Sequence, residues 1–300
     1  MKKVYLNELV SDSVRERLAS HYEIIDNLDH PQQLDGMLVR QTPVSRELIE
    51  KAVNLKVISM HGIGLDRIDV EAAKEHGIEV FNVPGVGAEA VGELAATYMM
   101  ALSRNLKKAE AGLKEGRYQT FGPAELVGHE LTGKTLGLIG TGNIAQVVMR
   151  IMKNAFNMTV LGYDPHASYE KTRQLGIEKV ETLTELFERS DFVNISVPLT
   201  DETRNMVNAE VLSHARKDLI LVNTARGGIV DEEALYIALK EGKIGGAGLD
   251  VTVQEPIDKD NPLLSLENFM CSPHIGGSTY ESRERVGLIA VDNLIKVLGE

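Results

Sequence analysis

Thr135-Leu136-Gly137-Leu138-Ile139-Gly140-Thr141-Gly142-Asn143-Ile144-Ala145 decides the fold of this 300-residue chain. The first five residues form a short apolar run, the pattern of a strand buried on both faces of a parallel sheet. G-x-G-x-x-A follows directly. Gly140 permits a tight turn, Gly142 has no side chain to keep a pyrophosphate away, and the small Ala145 lets a helix lie close on the sheet. The helix N-terminus then offers N–H groups and partial positive charge to phosphates, with Asn143 and Ile144 in its first turn. Met158 to Tyr163 reads as a second apolar strand ending in Asp164, about 20 residues past the glycines, where a carboxylate accepts from adenosine ribose hydroxyls. Asp164 would repel a 2'-phosphate, and Pro165 and His166 follow it rather than an arginine. The expected cofactor is therefore NAD and not NADP.

Downstream of Asp164 the alternation continues. Helices are expected over Tyr169 to Leu175, Thr182 to Arg189 and Asp231 to Lys240, the last opened by an acidic cap. Strands are expected near Glu178 to Val180, Phe192 to Val197, Leu219 to Asn223, Gly246 to Val251 and Asn268 to Ser272. That is a doubly wound parallel sheet with a nucleotide at its switch point. Upstream, residues 1 to about 100 alternate in the same way. Strands fall at Val4 to Leu6, Glu23 to Ile25, Met37 to Val39, Lys56 to Met60 and Glu79 to Phe81, with helices at Ser11 to Ser20 and Ser45 to Ala52.

Apolar residues recur at helical spacing from Ala88 to about Lys114, which predicts one long helix. Gly116 to Lys134 lacks periodicity and reads as a loop or arm. The last helix, Ser278 to Leu298, returns to the first domain and makes it discontinuous. The expected architecture is α/β with two Rossmann-like doubly wound domains. A flavodoxin-like substrate domain spans 1–102 plus 275–300, and an NAD-binding domain spans 103–274, with a cleft between them and hinges near Ser103 and His274.

The totals exclude several classes. A net charge of −12 and a pI near 5.2 disfavour a nucleic-acid backbone or an anionic membrane as partner. The basic start Met1-Lys2-Lys3 meets Asn7-Glu8 before a signal-length apolar run forms, so the expected compartment is the cytoplasm. A single cysteine, Cys271, allows no internal disulfide, and its apolar setting predicts a buried, inert thiol. No two His, Cys or acidic residues show metal-ligand spacing near the strand-end motifs, so no metal is expected.

A nicotinamide enzyme needs a group that exchanges a proton with the substrate hydroxyl and a cation that holds its carboxylate. Three strand-end stretches supply candidates: Asn223-Thr224-Ala225-Arg226-Gly227-Gly228, then Asp250 to Pro256 with Glu255, then Ser272-Pro273-His274-Ile275-Gly276-Gly277. In the first domain Arg40 closes a strand, and His61-Gly62-Ile63-Gly64 follows another. Ligands of open parallel sheets collect at such carboxyl ends.

At these residues the chain resembles the D-isomer-specific 2-hydroxyacid dehydrogenases. The resemblance rests on Gly62-Ile63-Gly64-Leu65-Asp66, the glycine fingerprint with Asp164, Asn223 to Leu235, Leu249 to Pro256 and Pro273 to Gly277. It implies that His274 is the acid/base, that Glu255 pairs with it, and that Arg226 binds the carboxylate and polarises the carbonyl. Cofactor contacts are implied at Gly140, Gly142, Asn143, Ile144, Asp164, Pro198, Thr203, Thr224, Ala225, Asp250, Gly276 and Gly277. Substrate contacts are implied at Gly62, Ile63, Gly64 and Arg226.

Val39-Arg40-Gln41 resembles the Val-Arg-Ser of D-3-phosphoglycerate dehydrogenases, whose arginine helps to hold the phosphate end. Gln41 in place of the serine, Met60-His61 where a basic residue is common, and Asn143 in place of a common arginine depart from that pattern. A hydroxypyruvate, glyoxylate or general 2-ketoacid reductase is the alternative. The chain ends after its last helix without a serine-sensing domain, so serine feedback is not expected. An NADH-sensing corepressor is a rival of another class, and a Rossmann methyltransferase would leave Arg226, Glu255 and His274 without a shared role. The family also implies a homodimer.

Overall fold

The computed structural model describes residues 1–299; Glu300, the end of the expected substrate domain, lies outside the described residues. Two compact units emerge, one of Met1–Ala90 and the chain from Gly277 onward, the other of Val91–Gly276.

In the first unit β1 (Lys3–Tyr5), α1 (Asp12–His21), β2 (Glu23–Ile25), β3 (Gly36–Val39), α2 (Arg46–Lys51), β4 (Val57–Met60), α3 (Val70–Glu75) and β5 (Glu79–Phe81) follow in sequence. All pairings are parallel, in the order β2-β1-β3-β4-β5. This is the flavodoxin-like order, with the reversal between β1 and β3. Side chains alternate across the sheet. Met37, Val39, Ile58 and Met60 enter a core with Ile49, Ala72 and Ala73 from α2 and α3. Leu38 and Val57 point the other way, toward Val14 and Leu18 of α1 and Val286, Ala290 and Leu294 of the last helix.

The chain enters the second unit within α4 (Ala88–Ser103), followed by α5 (Leu106–Lys114). The expected single helix to Lys114 is thus two helices. Asn105 between them takes a left-handed backbone, φ 53°, and the chain beyond folds back so that the His129 amide donates to the Ser103 carbonyl at 2.8 Å. The compact units divide after Ala90 and after Gly276, and Ala95, Ala96, Tyr98 and Met99 of α4 lie in the core of the second unit. The arm of residues 116–134 is irregular apart from a short 3-10 turn at Ala124–Leu126.

Then come β6 (Thr135–Ile139), α6 (Asn143–Phe156), β7 (Thr159–Tyr163), α7 (Tyr169–Leu175), β8 (Glu178–Lys179), α8 (Leu183–Arg189), β9 (Phe192–Ile195), α9 (Ala209–Ser213), β10 (Ile220–Asn223), α10 (Glu232–Lys240), β11 (Gly246–Leu249) and β12 (Phe269–Cys271). The order β12-β11-β10-β9-β6-β7-β8 is parallel throughout and places the switch point between β6 and β9. Both sheets are doubly wound, as the alternation predicts. Leu136 and Leu138 face α4 and α6, while Ile139, Val193 and Ile195 face the core built by α8 to α10. The helix α11 (Tyr280–Leu298) closes the first unit, capped by Thr279, whose hydroxyl accepts from the Ser282 amide. Two short helices, α3 and α9, carry too few residues for a periodic signal and are additions to the sequence reading. Among the described residues no helix is long and apolar enough to cross a membrane.

Candidate active site

The strand ends of the second unit converge at the switch point. Gly140, φ 85°, ends β6, and a Cβ there would come within 2.7 Å of the Ser196 carbonyl oxygen beyond β9. Only glycine fits both the conformation and the space. Gly142 then opens α6 with no side-chain cap, whereas Ser168, Thr182, Asn208 and Asp231 cap α7 to α10 with their own oxygens. The first turn of α6, with Asn143 and Ile144, therefore presents backbone N–H groups to a ligand.

Asp164 follows β7 and binds this turn as well. Its Oδ2 accepts from the Thr141 amide at 3.0 Å and the Thr141 hydroxyl at 2.7 Å, and its Oδ1 accepts from the His166 amide. Partial burial opposes its charge, but these donors outweigh it and hold the carboxyl below its ordinary value. Thr141 is a candidate that sequence reading missed, although it lies inside the fingerprint. Beyond β9, the Thr203 hydroxyl donates to the Pro198 carbonyl at 2.7 Å, so these two candidates shape one loop.

The loop after β10 is built by Asn223. Its Oδ1 accepts from the Ala225 amide at 2.9 Å and its Nδ2 donates to the Arg226 carbonyl at 2.9 Å. The buried Asn223 thus fixes the backbone that carries Arg226, whose Nη1 donates to the Ala225 carbonyl. A Cβ on Gly227 would meet the Thr252 carbonyl oxygen at 2.0 Å, so the loops after β10 and β11 touch through backbone alone. The Thr224 hydroxyl is buried and meets no hydrogen-bond partner in the protein.

Glu255 lies on the loop after β11 and His274 on the loop after β12. Glu255 Oε2 stands 3.1 Å from His274 Nδ1. A carboxylate only accepts, so Nδ1 carries the hydrogen of this pair. His274 has a left-handed backbone, φ 54°, rare for a residue with a side chain. Asp250 holds it there. The Asp250 carbonyl accepts from the His274 amide at 2.8 Å, while its carboxylate accepts from the Ser272 hydroxyl at 2.5 Å and the Ile275 and Gly276 amides, each at 2.7 Å. Two cofactor candidates, Asp250 and Gly276, are therefore bonded to each other. Tyr98 of α4 extends the chain, its hydroxyl 2.5 Å from Ser272 Oγ. Ser272 donates to Asp250, so Tyr98 is the donor of that pair. Cys271 is half-buried rather than buried, and desolvation, with Asp250 nearby, raises its thiol to about 11, which leaves it unreactive at neutral pH.

In the first unit the Gly62-Ile63-Gly64 turn follows β4. It is held by the Val83 amide on the Gly62 carbonyl at 2.8 Å and by Asn82 Nδ2 on the Ile63 carbonyl at 2.7 Å. Arg40 follows β3, and its Nη2 donates to Ser278 Oγ at 2.8 Å. Gly277 lies next to Ser278 in this unit. Among the described residues no three or more His, Cys, Asp or Glu side chains are grouped to hold a metal.

The donor set fits a dinucleotide: an uncapped α6 N-terminus behind glycines, a carboxylate at the end of β7, and a buried hydroxyl at Thr224 that lacks an acceptor. The comparisons agree. The family model for the D-isomer specific 2-hydroxyacid dehydrogenase NAD binding domain matches residues 96–276. The chain is similar to a D-3-phosphoglycerate dehydrogenase of Methanocaldococcus jannaschii, 46% identical over 272 residues, 90% of this chain and 51% of that protein. The chain thus spans about half the length of that relative. It is also similar to a hydroxypyruvate reductase of Thermotoga maritima, 42% identical over 309 residues, covering 99% of this chain and 98% of the relative. A protein of Thermus thermophilus with a known crystal structure superposes with a TM-score of 0.91 at 34% identity, covering 99% of this chain and 97% of that one. A glycine turn, its acidic partner and the matches over the whole length lead to one assignment: this chain belongs to the D-isomer specific 2-hydroxyacid dehydrogenase family.

Proposed function

We propose that the protein is an NAD-dependent dehydrogenase acting on C2 of a small anionic 2-hydroxy or 2-keto acid. The observation that carries this reading is the His274–Glu255 pair at 3.1 Å on the strand end beside the loop of Arg226. When bound, the dinucleotide supplies the hydride acceptor or donor at its nicotinamide ring. Gly140, Gly142, Asn143, Ile144, Thr224 and Ala225 would hold it along the strand ends, with Pro198 and Thr203 shaping the loop beside it and Asp164 at the adenosine ribose. Asp250, Gly276 and Gly277 would act at the nicotinamide end.

Arg226 would bind the substrate carboxylate with its planar fork and draw electron density from the adjacent carbonyl. His274 would give a proton from Nε2 to the carbonyl oxygen in reduction and take it back in oxidation. Glu255 fixes the ring so that Nε2, and not Nδ1, meets the substrate. In the first unit, Arg40 and the amides of Gly62, Ile63 and Gly64 would bind the acid. The named relatives leave two substrate types, a phosphorylated hydroxyacid and the unphosphorylated hydroxypyruvate. A cytoplasmic setting belongs to this reading and agrees with the free thiol of Cys271. So does a homodimer, supported by exposed apolar side chains at Leu106, Leu113, Phe121 and Val127.

His274→Ala should lower kcat about 10²- to 10⁴-fold, the usual contribution of a positioned acid/base. NADH binding, read by fluorescence titration, should change little. Turnover at the wild-type rate would remove His274 from the proton-transfer role.

A further inference from the structure

Tyr98 of α4 is buried, and its ring packs on Gly248 of β11, where a Cβ would come within 2.7 Å of the ring carbon Cγ. Its hydroxyl stands 2.5 Å from Ser272 Oγ and 3.4 Å from the Leu249 carbonyl. A phenol has one hydrogen, and the shorter contact takes it. Ser272 in turn donates to Asp250 Oδ1 at 2.5 Å. The Asp250 carboxylate also accepts from the amides of Ile275 and Gly276, the two residues that follow His274. All of these residues belong to the second unit.

The order of donors is forced. A carboxylate only accepts, so Ser272 donates to it, and Tyr98 must then donate to Ser272. Burial pushes the phenol above its ordinary value and the Asp250 charge adds to this, while the bond to Ser272 opposes them more weakly. Tyr98 therefore keeps its hydrogen through neutral pH. A phenylalanine would fill the same space on Gly248, so packing does not call for the hydroxyl. The hydroxyl serves the chain Tyr98–Ser272–Asp250, in which each O–H polarises the next. Without it the Ser272 hydroxyl gains freedom to turn from the carboxylate, and Asp250 holds the two amides less firmly. His274, with its left-handed backbone at φ 54°, stands directly before those amides.

We propose that Tyr98 and Ser272 are positioning residues for proton transfer, directing the Asp250 carboxylate and through it the loop that carries His274. This rests on the reading in which His274 exchanges the substrate proton. Tyr98 acts only through Ser272, so the two form one chain and not two separate supports.

The test is a double-mutant cycle on kcat with Tyr98→Phe, Ser272→Ala and the two combined, beside amide hydrogen exchange of the loop. Tyr98→Phe should lower kcat roughly fivefold, the scale of one neutral hydrogen bond. Ser272→Ala removes the bond to the carboxylate itself and should cost at least about tenfold. The combined variant should lie within about twofold of Ser272→Ala, because residues of one chain do not add. Exchange at Ile275 and Gly276 should quicken in Tyr98→Phe while the circular dichroism stays native. Losses that multiply in the combined variant would mean two independent structural roles and overturn the proposal. Wild-type kcat and unchanged exchange in Tyr98→Phe would overturn it as well. If Ser272→Ala does not fold, Tyr98→Phe decides alone by kcat and exchange. If His274→Ala turns over at the wild-type rate, the acid/base reading fails separately, and the exchange result then decides whether Tyr98 sets this loop.

Discussion

Asp250 shows how one side chain can set the position of another. Both of its carboxylate oxygens are engaged, accepting from Ser272, Ile275 and Gly276, and its carbonyl accepts from the His274 amide. An asparagine would turn an N–H₂ toward one of these donors and leave two donors facing each other, a cost of about 1–3 kcal/mol. The left-handed backbone of His274 is the conformation that this carboxylate over-determines. If His274 is the proposed acid/base, Asp250→Asn should lower turnover at least about tenfold, because a shift of one ångström at such a group can cost that much. The melting temperature should fall as well. Turnover and melting at wild-type values would show that the carboxylate is not the clamp. Asp250 stands in a recognisable stretch of sequence, but its bonds to the next strand end come only from the parallel register of β11 and β12. Arg40 and Ser278 meet from positions 238 residues apart, a juxtaposition that no local pattern reports.

At the scale of elements, the turn between β6 and α6 and the acid after β7 form one device. Asp164 ties down Thr141, so the carboxylate shapes the glycine turn and, in the proposed reading, would also meet the ribose. Asp164→Ala should weaken NAD and relax the discrimination against NADP, measured as the ratio of kcat/KM for NADH and NADPH; an unaltered ratio would count against the ribose assignment. Its lowered pKa sets a pH sign too. The carboxylate stabilises the turn fully above its unfolded pKa, and that stabilisation is lost as pH falls through the lower folded value. NADH affinity should thus hold through neutral pH and fail only in acid, and the alanine variant should lack that acid limb. Strands and their site-bearing ends were legible because apolar runs stop abruptly at ionisable or glycine residues. The split between α4 and α5 was not, since Leu102 and Leu106 continue the period across the break. What ends α4 is tertiary: the Ser103 carbonyl accepts from His129, and Gly128 packs on that carbonyl, where a Cβ would come within 2.2 Å.

For the molecule as a whole, a net charge of −12 disfavours self-association, so any dimer must form through a local apolar surface. The second unit carries one. Leu106 and Leu113 stand on one face of α5, with Phe121 and Val127 on the arm beyond, all exposed. Scattered apolar residues on a surface need no explanation, but four large ones on a single stretch do. That stretch is also held firmly. Lys107 Nζ donates to the Leu266 and Phe269 carbonyls at 2.9 and 2.8 Å, Arg117 pairs with Glu267 at 2.7 Å, and the Tyr118 ring packs on Gly112. A preformed apolar face loses little conformational freedom on association. The wild type should therefore sediment as a dimer at micromolar concentration, and Leu113→Asp combined with Phe121→Asp should shift it to monomer while the circular dichroism stays native. Added salt should strengthen the wild-type dimer, because it screens the like charges of the two copies and spares the apolar contact. A wild-type monomer at these concentrations, or a dimer indifferent to both substitutions, would place the interface elsewhere or remove it.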